Sequence, residues 1–163
     1  MSYRNKTYII FDADNDMTYY RLMTAWKEHD HIEFDFHNAH ELNRLTDRAS
    51  EEQIKSKLRE RLSNTKQVLV LVGNNTRYLY KFVRWEMEVA MSLDLPIIAV
   101  NLDKSNGETV KTPPILGAKA YYVSVPFEMK KIKFALDNFP SQYHREKRNG
   151  PAALSYNWGG IVL

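Results

Sequence analysis

Glu86 stands where a charged residue is not expected. The segment Phe82-Val83-Arg84-Trp85-Glu86-Met87-Glu88-Val89-Ala90-Met91-Ser92-Leu93 has a helical period. At about 100° per residue, Phe82, Trp85, Val89, Ala90 and Leu93 share one face, and Glu86 lies inside that apolar arc. Arg84 and Glu88 point the other way, as a solvated face should. A carboxylate aimed into apolar surroundings is costly unless it is paired, protonated or lining a pocket. It is therefore either a carboxyl satisfied by a neighbouring Arg or by backbone N–H groups, or a catalytic carboxylate in a cleft. In the second case it can hold a ribose by its hydroxyls and stabilise an oxocarbenium-like transition state as an N-glycosidic bond breaks. Phe11, Phe36, Phe82 and Trp85 are available to stack on rings, although such residues are more often core.

Other chemistries find less support. Asp12, Asp14 and Asp16 form an acidic turn that suits Mg²⁺ through oxygen ligands, as in a receiver domain. A receiver also needs a phosphorylatable Asp ending its third strand and a Lys closing its fifth. The chain has Val72-Gly73-Asn74 and Val125-Pro126 at those places. No GxGxxG or GxxxxGK[ST] loop occurs, nor the Ser/Thr/Gly-rich turn of a flavin site. The five histidines show no HExxH spacing, and the group His37, His40, Asp35 and Glu41 is a weak metal candidate. No nucleophile elbow is visible. The absence of cysteine excludes a disulfide framework and thiolate metal sites.

A chain of 163 residues suits one compact domain. No apolar run is long enough to span a bilayer, and Met1–Lys6 lacks the apolar stretch of a signal peptide, so a cytoplasmic protein without membrane contact is expected. The net charge of +3 gathers towards the C-terminus, in Lys130, Lys131, Lys133 and His144–Arg148. Nucleic-acid binding usually shows a denser stripe or a known motif, so a solvated face is expected instead. The same charge helps attract an anionic small molecule.

The elements that must position Glu86 alternate strand and helix. Lys6–Asp12 reads as a buried strand, followed by a helix with Tyr19, Leu22, Met23 and Trp26 on its apolar stripe and Asn15 or Asp16 as its N-cap. Ile32–Phe36 is a short strand, and His37–Ala49 a polar loop. Ser50-Glu51-Glu52-Gln53 matches a capping box, with Ile54, Leu58 and Leu62 as the buried stripe behind it. Gln67–Val72 and Pro96–Val100 are apolar on both faces, as central parallel strands are. Asp103–Ala120 reads as an irregular excursion, Tyr121–Val125 as a fifth strand, and Phe127–Phe139 as a last helix. The domain is expected to span 1–139, with 140–163 as a tail docked through Tyr156, Trp158 and Ile161. These elements predict an α/β fold: a flavodoxin-like, three-layer sandwich with a five-stranded parallel sheet in the order 2-1-3-4-5. Its crevice lies beyond the carboxyl ends of the strands, next to the Asp12–Asp16 turn, the His37–Ala49 loop and the Gly73–Leu79 loop.

Three ordered blocks resemble the TIR-like proteins of the bacterial Thoeris anti-phage system, a branch of the Toll/interleukin-1 receptor superfamily. They are Tyr8-Ile9-Ile10-Phe11-Asp12-Ala13-Asp14-Asn15-Asp16, Val68-Leu69-Val70-Leu71-Val72-Gly73-Asn74-Asn75-Thr76 and Phe82-Val83-Arg84-Trp85-Glu86-Met87, the last followed by the apolar strand Pro96–Val100. The resemblance implies a TIR-like fold and, for catalytic members, cleavage of NAD at the nicotinamide–ribose bond. The product would be a cyclic or modified ADP-ribose that signals to a partner effector. The family's catalytic glutamate falls on Glu86. Substrate-binding positions are expected at Phe11, Asp12, Asp14, Phe36 and Trp85, with NAD as substrate and no metal or cofactor. The chain departs from the family in having Ile10 where Ser is common and Phe82 where Trp is usual. Two alternatives belong to other classes: a non-catalytic TIR-like module acting by self-assembly as a homo-oligomer, and a nucleoside deoxyribosyltransferase-like enzyme with Glu86 as nucleophile.

Overall fold

The computed structural model describes residues 7–29, 36–37 and 50–163. Its elements are β1 (Thr7–Ile10), α1 (Met17–His29), β2 (Phe36–His37), α2 (Glu51–Leu62), β3 (Gln67–Val72), α3 (Phe82–Ser92), β4 (Ile97–Asn101), α4 (Pro114–Lys119), β5 (Tyr121–Pro126), α5 (Met129–Glu146) and β6 (Ala152–Leu154). The strands form one six-stranded sheet in the order β2-β1-β3-β4-β5-β6, and every pairing in it is parallel. The protein is thus a flavodoxin-like α/β fold, with one strand more than the five expected.

The four inner strands β1, β3, β4 and β5 are buried at every residue. This is why they read as continuous apolar runs: helices cover both faces of a parallel sheet. Successive side chains along a strand point to opposite faces, and the core divides accordingly. Ile9, Leu69, Leu71, Val100 and Val125 join Met23 of α1 and Ile132, Leu136 and Phe139 of α5. Tyr8, Ile10, Val68, Val70 and Tyr122 join Ile54 and Leu58 of α2, Val83 and Met87 of α3, and Leu116 of α4.

Local signals account for the helix ends nearest the site. Ser50 accepts from the Gln53 N–H at 3.2 Å, and the Gln53 side chain accepts from the Ser50 N–H at 2.9 Å. This capping box satisfies two backbone donors that a helix start leaves open.

Several expectations are corrected. Leu22 is 43% exposed, while Met23 is fully buried, so the stripe of α1 turns away from Leu22. The excursion after β4 contains a helix, α4, with Pro114 at its start, where a missing N–H costs nothing. The last helix does not stop at Phe139 but continues through a buried Pro140 to Glu146. A proline inside a helix loses a hydrogen bond and costs about 3 kcal/mol. Here Ile132, Ala135, Leu136, Phe139 and Pro140 form one buried stripe whose packing on the sheet offsets that loss. The tail supplies β6, in register with β5 at Tyr121↔Ala152, Tyr122↔Ala153 and Val123↔Leu154. Beyond it, the rings of Tyr156 and Trp158 lie 5.1 and 5.6 Å from that of Phe134, and the Trp158 indole N–H donates to Asn106 Oδ1 at 3.0 Å.

The revised stripe of α1 is checked by two alanine variants under urea. Met23→Ala is expected to cost about 2–5 kcal/mol, as deletion of a buried side chain does. Leu22→Ala is expected to change stability by less than about 0.5 kcal/mol.

Candidate functional site

In α3 the buried residues are Val83, Glu86, Met87, Val89 and Ala90. Val83, Glu86, Met87 and Ala90 follow i, i+3, i+4, i+7 spacing, so Glu86 sits at the middle of the buried face rather than at its margin. Phe82, Trp85 and Leu93, expected on the same apolar face, are only partly buried and pack against this layer. Glu86 itself is 1% exposed.

The group that meets the carboxyl comes from β1. The Tyr8 hydroxyl donates to Glu86 Oε2 at 2.5 Å. Tyr8 shares a strand face with Ile10, and both point into the α2–α3 layer. Burial pushes the Glu86 carboxyl up to about 8, against the downward pull of the Tyr8 hydrogen bond and of the Arg61 charge on α2. Burial, and then the Glu86 charge, raise the Tyr8 hydroxyl well above its usual range, so it stays a donor. At neutral pH the carboxyl is therefore mainly protonated and can give up its proton to a base or to solvent once uncovered.

The helices over this pair are tied together on their solvent side. Lys55 of α2 bridges to Glu51 at 2.9 Å and across to Glu88 of α3 at 2.6 Å. Arg84 reaches the same Glu88 at 3.0 Å. The hydrogen bond from Lys55, followed by that from Arg84, holds the Glu88 carboxyl below the usual carboxylate range. Sequence periodicity separated Glu86 from Glu88 correctly: one faces the sheet, the other the ion pairs.

At the carboxyl ends of β1 and β3 the acidic turn is internally bonded. Asp12, 3% exposed, accepts from the Asp14 N–H at 3.1 Å and from the Asn15 side-chain amide at 2.7 Å. The Asp14 side chain is exposed. Asp16, immediately before α1, is 7% exposed, and its Oδ2 has no hydrogen-bond partner among the described residues. Burial, and then the neighbouring Asp12, raise the Asp16 carboxyl above its ordinary value. A Cβ on Gly73 would lie 2.2 Å from Asp16 Oδ2, so a glycine is required after β3 for this carboxyl to fit. The Gly73 N–H donates to Thr76 Oγ1 at 2.9 Å, which fixes the loop leading to α3.

The expected site residues therefore divide. Glu86 and Trp85 belong to the α2–α3 layer. Phe11 belongs to the opposite layer, its ring stacked on Tyr20 at 4.9 Å. Asp12 and Asp14 lie at the crevice end of β1. Phe36 is in β2, but its side chain lies outside the described residues, as do Asp35 and the His37–Ala49 loop beyond His37. Sequence reasoning missed Tyr8 and Arg61, and read Asp16 as an N-cap or oxygen ligand without its contact to Gly73. A hydroxyl inside a fully buried strand needs a partner, and that was the one signal for Tyr8.

A family model described as Thoeris protein ThsB, TIR-like domain, matches residues 8–107. The chain belongs to this family. No curated protein matches it. In this TIR-like chain the matched stretch begins at Tyr8 and includes Glu86, so both partners of the buried hydrogen bond lie inside the TIR-like region. α4, β5, α5 and β6 lie beyond it. Among the described residues no helix is long and apolar enough to cross a membrane, and no group of three or more His, Cys, Asp or Glu is placed to hold a metal ion.

Two predictions follow from this geometry. The Glu86 carboxyl binds its proton more tightly folded than unfolded, so the wild type loses stability as pH rises from about 4.5 to about 8. Glu86→Gln has no proton to lose. Its stability relative to wild type should rise across that range by roughly 3–5 kcal/mol in urea titrations run at several pH values. Gly73→Ala should destabilise by about 1–3 kcal/mol, and adding Asp16→Ala should recover part of that loss in a double-mutant cycle.

Proposed function

We propose that this TIR-like chain processes NAD, breaking the nicotinamide–ribose bond with Glu86 as the catalytic carboxylate. The observation that supports this is the Glu86 carboxyl, buried in the α2–α3 layer, raised to about 8 and held by one tyrosine, inside the region that matches the family. Once ionised, Glu86 accepts hydrogen bonds from the ribose hydroxyls and stabilises positive charge as the C1′–N bond breaks. The bonding electron pair leaves with nicotinamide, which departs neutral. Water or an internal nucleophile of the ADP-ribose then captures the oxocarbenium centre, giving hydrolysis or cyclisation. No metal or cofactor takes part.

Glu86 is closed to solvent in the arrangement described, so turnover includes an opening of the α2–α3 layer that brings Glu86 to the ribose. Trp85 then lines the ribose side, while Phe11, Asp12 and Asp14 border the rest of the nucleotide. Tyr8 acts as a positioning residue: its hydroxyl lowers the proton affinity of Glu86 and fixes the carboxyl plane. In this account the protein is cytoplasmic, serves anti-phage defence, and signals through its nucleotide product to a downstream effector. The second reading is a non-catalytic self-assembling module. It is favoured by the same closure, since Tyr8 already satisfies a Glu86 oxygen within a packed core.

Nicotinamide release from NAD separates the two, measured with purified protein alone and with lysate of phage-infected cells. Glu86→Gln should lower release by about 100-fold or more, in the range seen when a transition-state-stabilising group is removed. For the wild type, kcat/KM should rise with pH through about 8. Tyr8→Phe should move that rise to higher pH, because the Tyr8 hydrogen bond is one of the two influences lowering the carboxyl. Equal release by wild type and Glu86→Gln would overturn the assignment of Glu86, whereas no release from either, with concentration-dependent oligomers in sedimentation, would favour the assembly module.

A further inference from the structure

A cavity of about 320 Å³ opens at the opposite end of the sheet from the acidic turn. It lies at the amino ends of β4 and β5, where Ile97 and Tyr121 begin their strands. Glu86 is not among its lining residues. Buried Leu95, Ile97 and Ala120 form an apolar floor. The rings of Tyr121 and Tyr143, 6.3 Å apart and inclined at 55°, form a wall.

The rim is strongly cationic. It carries Lys119, Lys147 and Arg148 against one carboxylate, Asp94. Asp94 is already engaged, accepting from the Tyr143 hydroxyl at 2.8 Å and pairing with Lys147. The Lys147 hydrogen bond, with that of Tyr143, holds the Asp94 carboxyl below its ordinary value. Lys119 and Arg148 are exposed and have no ion-pair partner among the described residues. Two positive charges are thus left facing a cavity whose floor is apolar. Gly150, at φ +95°, completes the rim, and a Cβ there would meet nothing within 4 Å.

Floor, ring wall and a few charged groups are the composition of a small-molecule pocket, and the volume lies near the lower end of the usual range of roughly 300–1,000 Å³. That size suits a ligand of about one ring and one phosphate. Two unneutralised cations, one of them a guanidinium with fork geometry, favour a phosphate dianion over a carboxylate. We propose that this cavity binds a small ring-bearing organic anion of the nucleoside monophosphate class. Lys119 and Arg148 hold the phosphate, and Tyr121 and Tyr143 face the base. The site is separate from Glu86 and does not rest on the NAD-processing account.

The test is an amide NMR titration of the full chain with AMP, and with inorganic phosphate as a second probe. Perturbations are expected at Asp94, Leu95, Lys119, Ala120, Tyr121 and Gly150. Charge reversal at two exposed positions, Lys119→Glu with Arg148→Glu, should weaken AMP at least about tenfold. Neutral Lys119→Gln with Arg148→Gln should weaken it by a smaller factor, and raised salt should act in the same direction. Glu86→Gln should leave AMP affinity within about twofold, and phosphate alone should bind at least about tenfold more weakly than AMP. The proposal is overturned by no AMP binding at about 10 mM, by perturbations centred instead on Asp12–Asp16 and Gly73, by affinity unmoved on charge reversal, or by phosphate binding as tightly as AMP.

Discussion

One carboxyl buried beneath α2 and α3 sets the terms for the elements around it. Left ionised and unpaired in an apolar layer, Glu86 would be far too costly to keep. The Tyr8 hydroxyl removes part of that cost from a strand 78 positions away in sequence, and protonation removes much of the rest. This requires β1 and α3 to keep one relative position, because a hydrogen bond of 2.5 Å tolerates little sliding. The Lys55–Glu88 bridge holds α2 over the same place from the solvent side. A buried polar group of this kind adds little net stability and much specificity of arrangement.

The class of fold was legible because its cause is simple: strands covered on both faces by helices read as unbroken apolar runs, and residues 68–72 and 97–100 do so. The capping box at Ser50 was equally legible, being a contact between near neighbours. The end of α5 was not. Pro140 carries a strong local stop signal, and only the long buried stripe reaching across it overrides that signal. β6 was invisible for the opposite reason: three residues, none fully buried, carry almost no pattern, and the strand exists because β5 offers an edge. At the site, helical spacing found Glu86 because the anomaly is local. Tyr8 escaped because its partner, Glu86, is distant in sequence, and the contact of Asp16 with Gly73 escaped for the same reason. Phe11, expected from the resemblance to border the nucleotide, is turned by strand alternation into the layer opposite Glu86.

The two ends of the sheet carry different chemistry. The carboxyl ends of β1 and β3 gather acidic groups, with Asp16 pressed against Gly73 and Asp12 bonded within its own turn. The amino ends of β4 and β5 gather cations around an apolar floor. The first end, and Glu86, fall within the ThsB TIR-like region. The cationic rim is built mainly by residues after it, from the end of α4 to the turn before β6.

The central claim is that Glu86 is a buried, proton-retaining carboxyl governed by Tyr8. The most direct measurement is the titration of its side-chain carbon by NMR, in protein labelled with ¹³C at glutamate and assigned by Glu86→Gln. The account predicts a midpoint near 8 in the wild type and a higher one in Tyr8→Phe. A midpoint in the ordinary glutamate range of about 4–5, unmoved by loss of the Tyr8 hydroxyl, would contradict it.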